Sequence, residues 1–441
     1  MELKYFGTDG IRGRAYAPPL TLEEAGRWGQ AWAEVAAARG IEELVIGWDP
    51  RLSSEPLAQA FASGLGGRLR LCVLGMVPTP AVAHAASTRP RAWGLVLSAS
   101  HNPPEDNGIK GFDGSGEKLS EEDEAALEAV FERLPARAAA PAPLPVDEAV
   151  TAAYIRHLGG LDLPPELILV VDCAHGATAP WAPLLFRGAG VRWLGVPADG
   201  ARINVGVGST HLDQLTARVQ ELGAFAGIAF DGDGDRCLMV NGAGELVDGD
   251  QLIWLLAQDL HSHDQPLPGV VGTVMSNGGL EEALQASGIP FVRTPVGDKH
   301  MLRELGRRGW DLAAEASGHI VQKHVGPSGD GMATALAALA ALLRRAGADR
   351  WSWRFRPWPL RLVNILASDR RPVESCPLLL AAIRDLEDSH GAALRMVIRW
   401  SGTEPKLRLM VEARETGLMN RALEALELAA RADLELNQRQ K

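Results

Sequence analysis

Cysteine is scarce in this chain and scattered. Cys72, Cys173, Cys237 and Cys376 share no metal-ligand spacing, which excludes a disulfide-built scaffold or a thiolate metal centre and fits reduced, buried thiols in a cytosolic protein. Positive charge is also short. Against 55 Asp and Glu stand 44 Lys and Arg, a net charge of −11, which argues against a general binder of nucleic acid or anionic membrane. An acidic chain that takes up anions must gather its positive charge in small pockets. Long apolar runs are missing too. The longest, Met332 to Leu343, is too short to span a bilayer and Ala-rich, as in a packed helix. The opening Met1-Glu2-Leu3-Lys4-Tyr5 carries no signal core, so a soluble, cytoplasmic protein is expected. Apolar residues make up 46% of 441 positions, enough to bury several cores.

What is present is an alternation of strand and helix. The first segment reads as a strand up to Phe6, followed by a Gly-rich turn, Gly7-Thr8-Asp9-Gly10-Ile11-Arg12-Gly13, which projects Asp9 and Arg12. Thr21 and Glu24 form a capping box ahead of a helix that places Trp28, Trp32 and Val35 on one face. Leu44-Val45-Ile46, Leu71-Cys72-Val73 and Leu95-Val96-Leu97 read as strands and Ser54 to Leu65 as a helix. Asn107-Gly108 predicts a turn that returns Lys110 on a strand toward the end of the Leu95–Leu97 strand. A helix over Glu121 to Arg133 and a stiff Pro/Ala linker, Pro135 to Pro145, close this domain.

A second unit opens on the apolar run Leu167 to Asp172, typical of a parallel sheet, after which Cys173 to Thr178 turns into a helix. It also holds the strand Ile228-Ala229-Phe230. A third unit carries Val270 to Asn277, a helix around Leu280 to Leu284, Val296-Gly297-Asp298-Lys299 and Ala314 to His319. Trp351 to Pro359 reads as a hinge. Beyond it, a helix over Pro377 to Glu387 and strands Met396 to Ile398 and Leu407 to Glu412 form a small α+β domain. The expected domains are 1–153, 154–254, 255–358 and 359–441. The fold class is α/β: three similar α/β domains with mixed sheets plus a C-terminal α+β domain.

Four loops carry chemistry. Ser98-Ala99-Ser100-His101-Asn102-Pro103-Pro104 follows a buried strand, and Asn-Pro-Pro forces a turn. It presents the Ser100 hydroxyl, the candidate nucleophile, beside the His101 imidazole. Asp231, Asp233 and Asp235 alternate with glycines, so three carboxylates converge and demand a hard cation such as magnesium or calcium. The EF-hand pattern fails, because Arg236 and Gly242 stand where that loop needs Gly and Glu. Glu315-Ala316-Ser317-Gly318-His319 offers groups that bind sugar hydroxyls and move a proton. Arg399-Trp400-Ser401-Gly402-Thr403, with Lys406 and Arg408 nearby, makes a cradle for an anion such as phosphate. Together these suit phosphoryl transfer to and from a phosphosugar.

In these loops the chain resembles the alpha-D-phosphohexomutase superfamily over essentially its whole length. Gly208-Ser209-Thr210-His211 and the N-terminal Tyr5 to Gly13 point, with the third-unit motifs, to the phosphoglucosamine mutase branch. The resemblance implies four domains around a central cleft, Ser100 as the phosphorylated nucleophile, and Mg2+ held by Asp231, Asp233, Asp235 and the serine phosphate. It implies His101, Arg12, Lys110 and His319 for proton transfer and charge stabilisation. Substrate contacts would come from Arg236, Lys299, Glu315 and Ser317, and from Arg399, Ser401, Gly402, Thr403 and Arg408 on the phosphate that is not reacting. Trp400 is expected against the sugar or a neighbouring domain. The reaction implied is glucosamine 6-phosphate to glucosamine 1-phosphate through a bisphosphorylated sugar, a step toward UDP-N-acetylglucosamine and peptidoglycan precursors. A phosphomannomutase/phosphoglucomutase, a metal-dependent phosphatase and a non-catalytic phosphosugar binder are the rivals. The expected partner is a small phosphosugar, with no nucleic acid or membrane, and homodimerisation is left open.

Overall fold

The computed structural model describes residues 3–135, 142–261, 265–345, 350–367, 370–400 and 405–436. They fall into two compact units, one of residues 1–273 with 294–353 and one of 274–293 with 354–441. The division at Trp353 and Arg354 lies inside the stretch read as a hinge.

The larger unit begins with a six-stranded mixed sheet in the order Phe6–Gly7, Gly10–Arg14, Asp106–Phe112, Ala92–Leu97, Glu43–Trp48, Arg70–Met76. The last three strands are parallel, joined by helical crossovers, and Asp106–Phe112 runs antiparallel to both of its neighbours. The helix Leu22–Ala38 starts at the capping box, with Thr21 accepting from the Glu24 amide, and buries Trp28, Trp32 and Val35. Trp28 stacks on Phe131 at 3.8 Å between ring centroids, which ties this helix to Glu121–Arg133. Ser54–Leu65 is helical over the residues expected.

Two expectations in this domain fail for stated reasons. Strand structure does not run up to Phe6 but starts there, because the Lys4, Tyr5 and Phe6 amides donate to the Glu128 carboxylate instead of to a neighbouring strand. Asn107-Gly108 is not a turn; both residues lie within the strand Asp106–Phe112. Asn107 is fully buried, its amide donating to Ser53 and Ser54. A Cβ at Gly108 would come within 2.6 Å of the Ile11 and Ser98 carbonyl oxygens, so glycine serves close strand packing.

A second sheet orders Val191–Leu194, Leu169–Asp172, Ala226–Phe230, Cys237–Asn241 and Leu246–Val247. Leu169–Asp172 lies parallel to both neighbours, as its apolar run implied. Cys173 to Thr178 does not enter a helix directly. It is a turn region, and the next helix is the four-residue Ala182–Leu185. In a third sheet Val270–Thr273 is parallel to Leu312–Ala314, which pairs antiparallel with Ile320–Gln322. The Ala-rich run lies in the helix Gly331–Arg344. All four cysteines are buried and free, and no helix among the described residues is long and apolar enough to cross a membrane.

In the smaller unit, Leu360–Leu366, Lys406–Ala413 and Leu394–Trp400 form an antiparallel sheet with Lys406–Ala413 central. Its core draws on Leu379 of the helix Pro377–His390, Leu407, Leu409 and Val411 of the central strand, and Leu426 of the helix Thr416–Leu436. The strand Leu360–Leu366 and the last helix carried no cue used in reading the sequence.

Candidate active site

The Ala92–Leu97 strand delivers the chain to Ser100, which sits in the left-handed region at φ 52° and is 1% exposed. Ser100 Oγ donates to Asp231 Oδ2 at 2.6 Å and lies 3.3 Å from His101 Nδ1. Burial, with the Arg236 and Arg12 charges nearby, lowers the His101 imidazole to about 4, so this ring is neutral at pH 7.

Asp231, Asp233 and Asp235 follow the strand Ala226–Phe230. Gly234, at φ 73°, provides the backbone freedom that curls the loop. One oxygen from each aspartate lies within 4.8 Å of the others, and all three residues are buried. Asp233 Oδ1 and Asp235 Oδ1 are buried without a hydrogen-bond partner. A buried, all-carboxylate set with unsatisfied oxygens fits a hard divalent cation. Burial and then the neighbouring Asp235 and Asp233 charges raise the Asp231 carboxyl well above the usual carboxylate range. Burial acts the same way on Asp235 but is outweighed by Lys110, His319 and Arg236, which hold it well below that range.

Lys110 returns to this site as expected, though on a continuous strand. Its ammonium is 2.8 Å from Asp233 Oδ2, 3.2 Å from Asp9 Oδ2 and 3.5 Å from Asp235 Oδ2. Desolvation opposes its charge, and the Asp233, Asp9 and Asp235 carboxylates overcome it and raise its pKa. Arg12 lies on the strand Gly10–Arg14, not in a turn. It pairs with Asp9 and reaches the Ala99 carbonyl and Asn102 Oδ1 at 3.4 Å each.

The loop Glu315 to His319 joins the aspartate loop through a backbone bridge between Arg236 and His319 and a bond from the Cys237 amide to the Gly318 carbonyl at 3.0 Å. His319 stands 3.7 Å from Asp235 and 3.8 Å from Asp298. Burial alone would lower its pKa, but Asp235, Asp298 and Glu315 push it up to about 9, so His319 is a cation at pH 7. Glu315 accepts from the Gly297 amide at 3.1 Å, and Ser317 Oγ donates to Glu315 at 3.4 Å. Lys299 pairs with Glu124 and lines a cavity of about 600 Å³ with Gly7, Thr8, Gly297 and His300.

In the smaller unit Arg399 and Arg408 are direct partners across antiparallel strands. Like charges placed so destabilise one another unless an anion joins them, and burial followed by Arg408 lowers the Arg399 pKa. Ser401, Gly402 and Thr403 lie outside the described residues. Trp400 packs against the core of its own unit, its indole nitrogen donating to the Arg371 carbonyl at 2.7 Å.

Four further residues touch the site and escaped the sequence reading. Thr79 grips Asp233 twice, its hydroxyl donating to Oδ2 at 2.6 Å and its amide to the carbonyl at 2.8 Å. Lys118 bridges Asp9 and Asp298. Arg51 and Asn204 donate to the Ser100 carbonyl. None belongs to a spaced motif, so no local signal could have found them.

Four family models of phosphoglucomutase/phosphomannomutase match in succession: alpha/beta/alpha domain I over residues 3–138, domain II over 152–244, domain III over 248–351 and the C-terminal domain over 362–429. The chain is 40% identical to phosphoglucosamine mutase 1 of Shewanella amazonensis, covering 98% of this chain and 99% of that protein. It is 42% identical to the phosphoglucosamine mutase of Azotobacter vinelandii over 93% and 95% of the two chains. A phosphoglucomutase/phosphomannomutase family protein from Burkholderia thailandensis shares the fold at a TM-score of 0.79, 24% identity and 98% coverage of each chain. The chain therefore belongs to the phosphoglucosamine mutase family, within the alpha-D-phosphohexomutase superfamily.

Proposed function

We propose that this chain interconverts glucosamine 6-phosphate and glucosamine 1-phosphate, with Ser100 as the phosphoryl carrier. The observation that carries the reading is Ser100 Oγ in hydrogen-bond contact with Asp231, at a cluster of three buried aspartates. Its full-length likeness to curated phosphoglucosamine mutases supports the choice of an amino sugar.

With Ser100 phosphorylated, the C1 hydroxyl oxygen of glucosamine 6-phosphate bonds to phosphorus as the P–Oγ bond breaks. The electron pair stays on Oγ and the hydroxyl proton leaves to a base. The bisphosphorylated sugar then turns around, Oγ takes the phosphoryl group from C6, and the C6 oxygen is reprotonated. Asp231, Asp233 and Asp235 would hold Mg2+, which when bound neutralises charge on the phosphoryl oxygens. Lys110, His319 and Arg12 supply fixed positive charge around the transferring group, and His101, neutral at pH 7, is the candidate to accept a proton. Glu315 and Ser317 are assigned to the sugar hydroxyls. Arg236 and Lys299 are also assigned to the substrate, and Arg399 and Arg408, with Ser401, Gly402 and Thr403, to the distal phosphate. The reading places the protein in the cytoplasm, where the phosphosugar is made.

Intact mass with phosphosite mapping, run beside an isomerisation assay, tests this. A phosphate on Ser100 and faster turnover of glucosamine 6-phosphate than of glucose or mannose 6-phosphate are expected. Faster turnover of a neutral hexose would move the assignment to phosphomannomutase/phosphoglucomutase, and stoichiometric release of inorganic phosphate would make the protein a phosphatase.

A further inference from the structure

Ser100 occupies a backbone conformation that L-residues avoid, at φ 52°, and such a conformation persists only where its surroundings over-determine it. The surroundings are a buried polar network centred on Arg51, a residue 2% exposed. Every N–H of its guanidinium has an acceptor. Nε donates to Asp49 Oδ2 at 2.9 Å. Nη1 donates to the Pro103 carbonyl and, at 2.9 Å, to that of Asp106. Nη2 donates to the Ser100 carbonyl at 2.9 Å and to that of Asn102 at 2.8 Å. One planar fork thus binds four carbonyls of a single turn, using all of the donors that arginine has.

The same turn is held from two other directions. Asn204 Nδ2 donates to the Ser100 and Asn102 carbonyls at 2.8 and 3.0 Å, so the Ser100 oxygen accepts from both Arg51 and Asn204. Asp49, fully buried, also accepts from Ser98 Oγ at 2.7 Å, and Ser98 Oγ accepts the Ser100 amide at 2.9 Å. Both backbone polar groups of Ser100 are therefore tied to the Asp49–Arg51 pair, leaving Oγ to point at Asp231.

We propose that Arg51, oriented by Asp49, is a positioning residue for phosphoryl transfer: it holds the Ser100 turn in the left-handed conformation that aims Oγ at the aspartate cluster. This rests on the proposed mutase reading. Asn204 donates to the same carbonyl. Arg51 touches neither substrate nor the reacting atoms, so its loss acts on the rate of transfer and not on capture of the sugar. Lysine cannot replace it, having three donors on a point charge where a planar fork is required.

The test is single-turnover transfer from Ser100-phosphorylated full-length protein to glucosamine 6-phosphate with Mg2+, read as loss of phosphoserine by intact mass. For Arg51→Lys the rate constant is expected to fall about 100-fold, with half-saturating sugar within about threefold of wild type. For Asn204→Gly, which keeps the positive φ of that residue, a fall of about tenfold is expected. A purely structural role would reduce the amplitude of transfer while leaving its rate constant unchanged, and that result overturns the proposal. So do rate constants within about threefold of wild type in both variants. Should Arg51→Lys fail to fold, Asn204→Gly decides alone. Should the wild type transfer no phosphoryl group to any sugar, the mutase reading fails separately. Hydrogen exchange of residues 99–106 then decides: exchange about tenfold faster in the variants supports the pin, and unchanged exchange refutes it.

Discussion

Ser100 Oγ and Asp231 Oδ2 meet at 2.6 Å across 131 residues of chain. The contact joins the turn between Ala92–Leu97 and Asp106–Phe112 in the first sheet to the turn between Ala226–Phe230 and Cys237–Asn241 in the second, and it puts the hydroxyl and a carboxylate of the proposed chemistry face to face. Replacing Ser100 by Ala removes the hydroxyl and is expected to lower isomerisation by about four orders of magnitude or more. A coupled assay for glucosamine 1-phosphate measures this; near wild-type turnover would remove Ser100 from the mechanism.

Thr79→Val keeps the shape of the side chain and deletes the donor that holds Asp233. Groups that orient a metal ligand commonly contribute about tenfold or more to affinity or activity. The Mg2+ concentration for half-maximal activity is expected to rise by about that factor, and an unchanged Mg2+ titration would show that Asp233 is placed without Thr79.

Lys110→Met withdraws a buried cation from Asp233, Asp9 and Asp235. Breaking a buried ion pair by removing one partner, as here for Asp233, costs about 3–5 kcal/mol, so Tm is expected to drop in chelator. Added Mg2+ should raise Tm more in the variant than in the wild type, since the ion replaces the missing charge. Equal Mg2+ shifts in the two proteins would count against a metal at these aspartates.

Asp330 caps the helix Gly331–Arg344, whose Gly331 amide donates to the Gly234 carbonyl of the aspartate loop at 3.0 Å, and it accepts from Tyr154 Oη at 2.8 Å. Burial pushes its carboxyl up to about 6 from an ordinary 3.8. Between these values the folded chain binds more proton than the unfolded chain, so this group's contribution to stability declines as pH rises from about 4 to 6 and is level above that. The change amounts to about 3 kcal/mol. Asp330→Asn abolishes it, so the Tm of the variant should gain on that of the wild type between pH 4 and 6.5. A gap that stays constant with pH would refute the assignment.

Much of this was legible where the cause is local. The Thr21 and Glu24 capping box satisfies amides within one turn, and the apolar face of Trp28, Trp32 and Val35 has nowhere to go but a core. The aspartates of the metal loop announce a cation because their repulsion depends only on their spacing. Reading failed where a distant residue overrode the local preference. Asn107-Gly108 is a strong turn signal in isolation, yet Ser53 and Ser54 satisfy the Asn107 side chain inside a strand. The amides of Lys4, Tyr5 and Phe6 bond to Glu128 more than 120 residues away.

By itself the sequence determined which groups can react: a hydroxyl on a turn that Pro103 and Pro104 prevent from extending, three carboxylates in a glycine-relieved loop, and a basic turn in the last domain. Spacing and residue chemistry suffice for that. Only the tertiary structure decided how those groups are aimed. Arg51 converges on four carbonyls, Thr79 on Asp233 and Lys110 on three carboxylates. A buried donor finds its acceptors through packing, and packing between residues this far apart in the chain leaves no period or spacing to read.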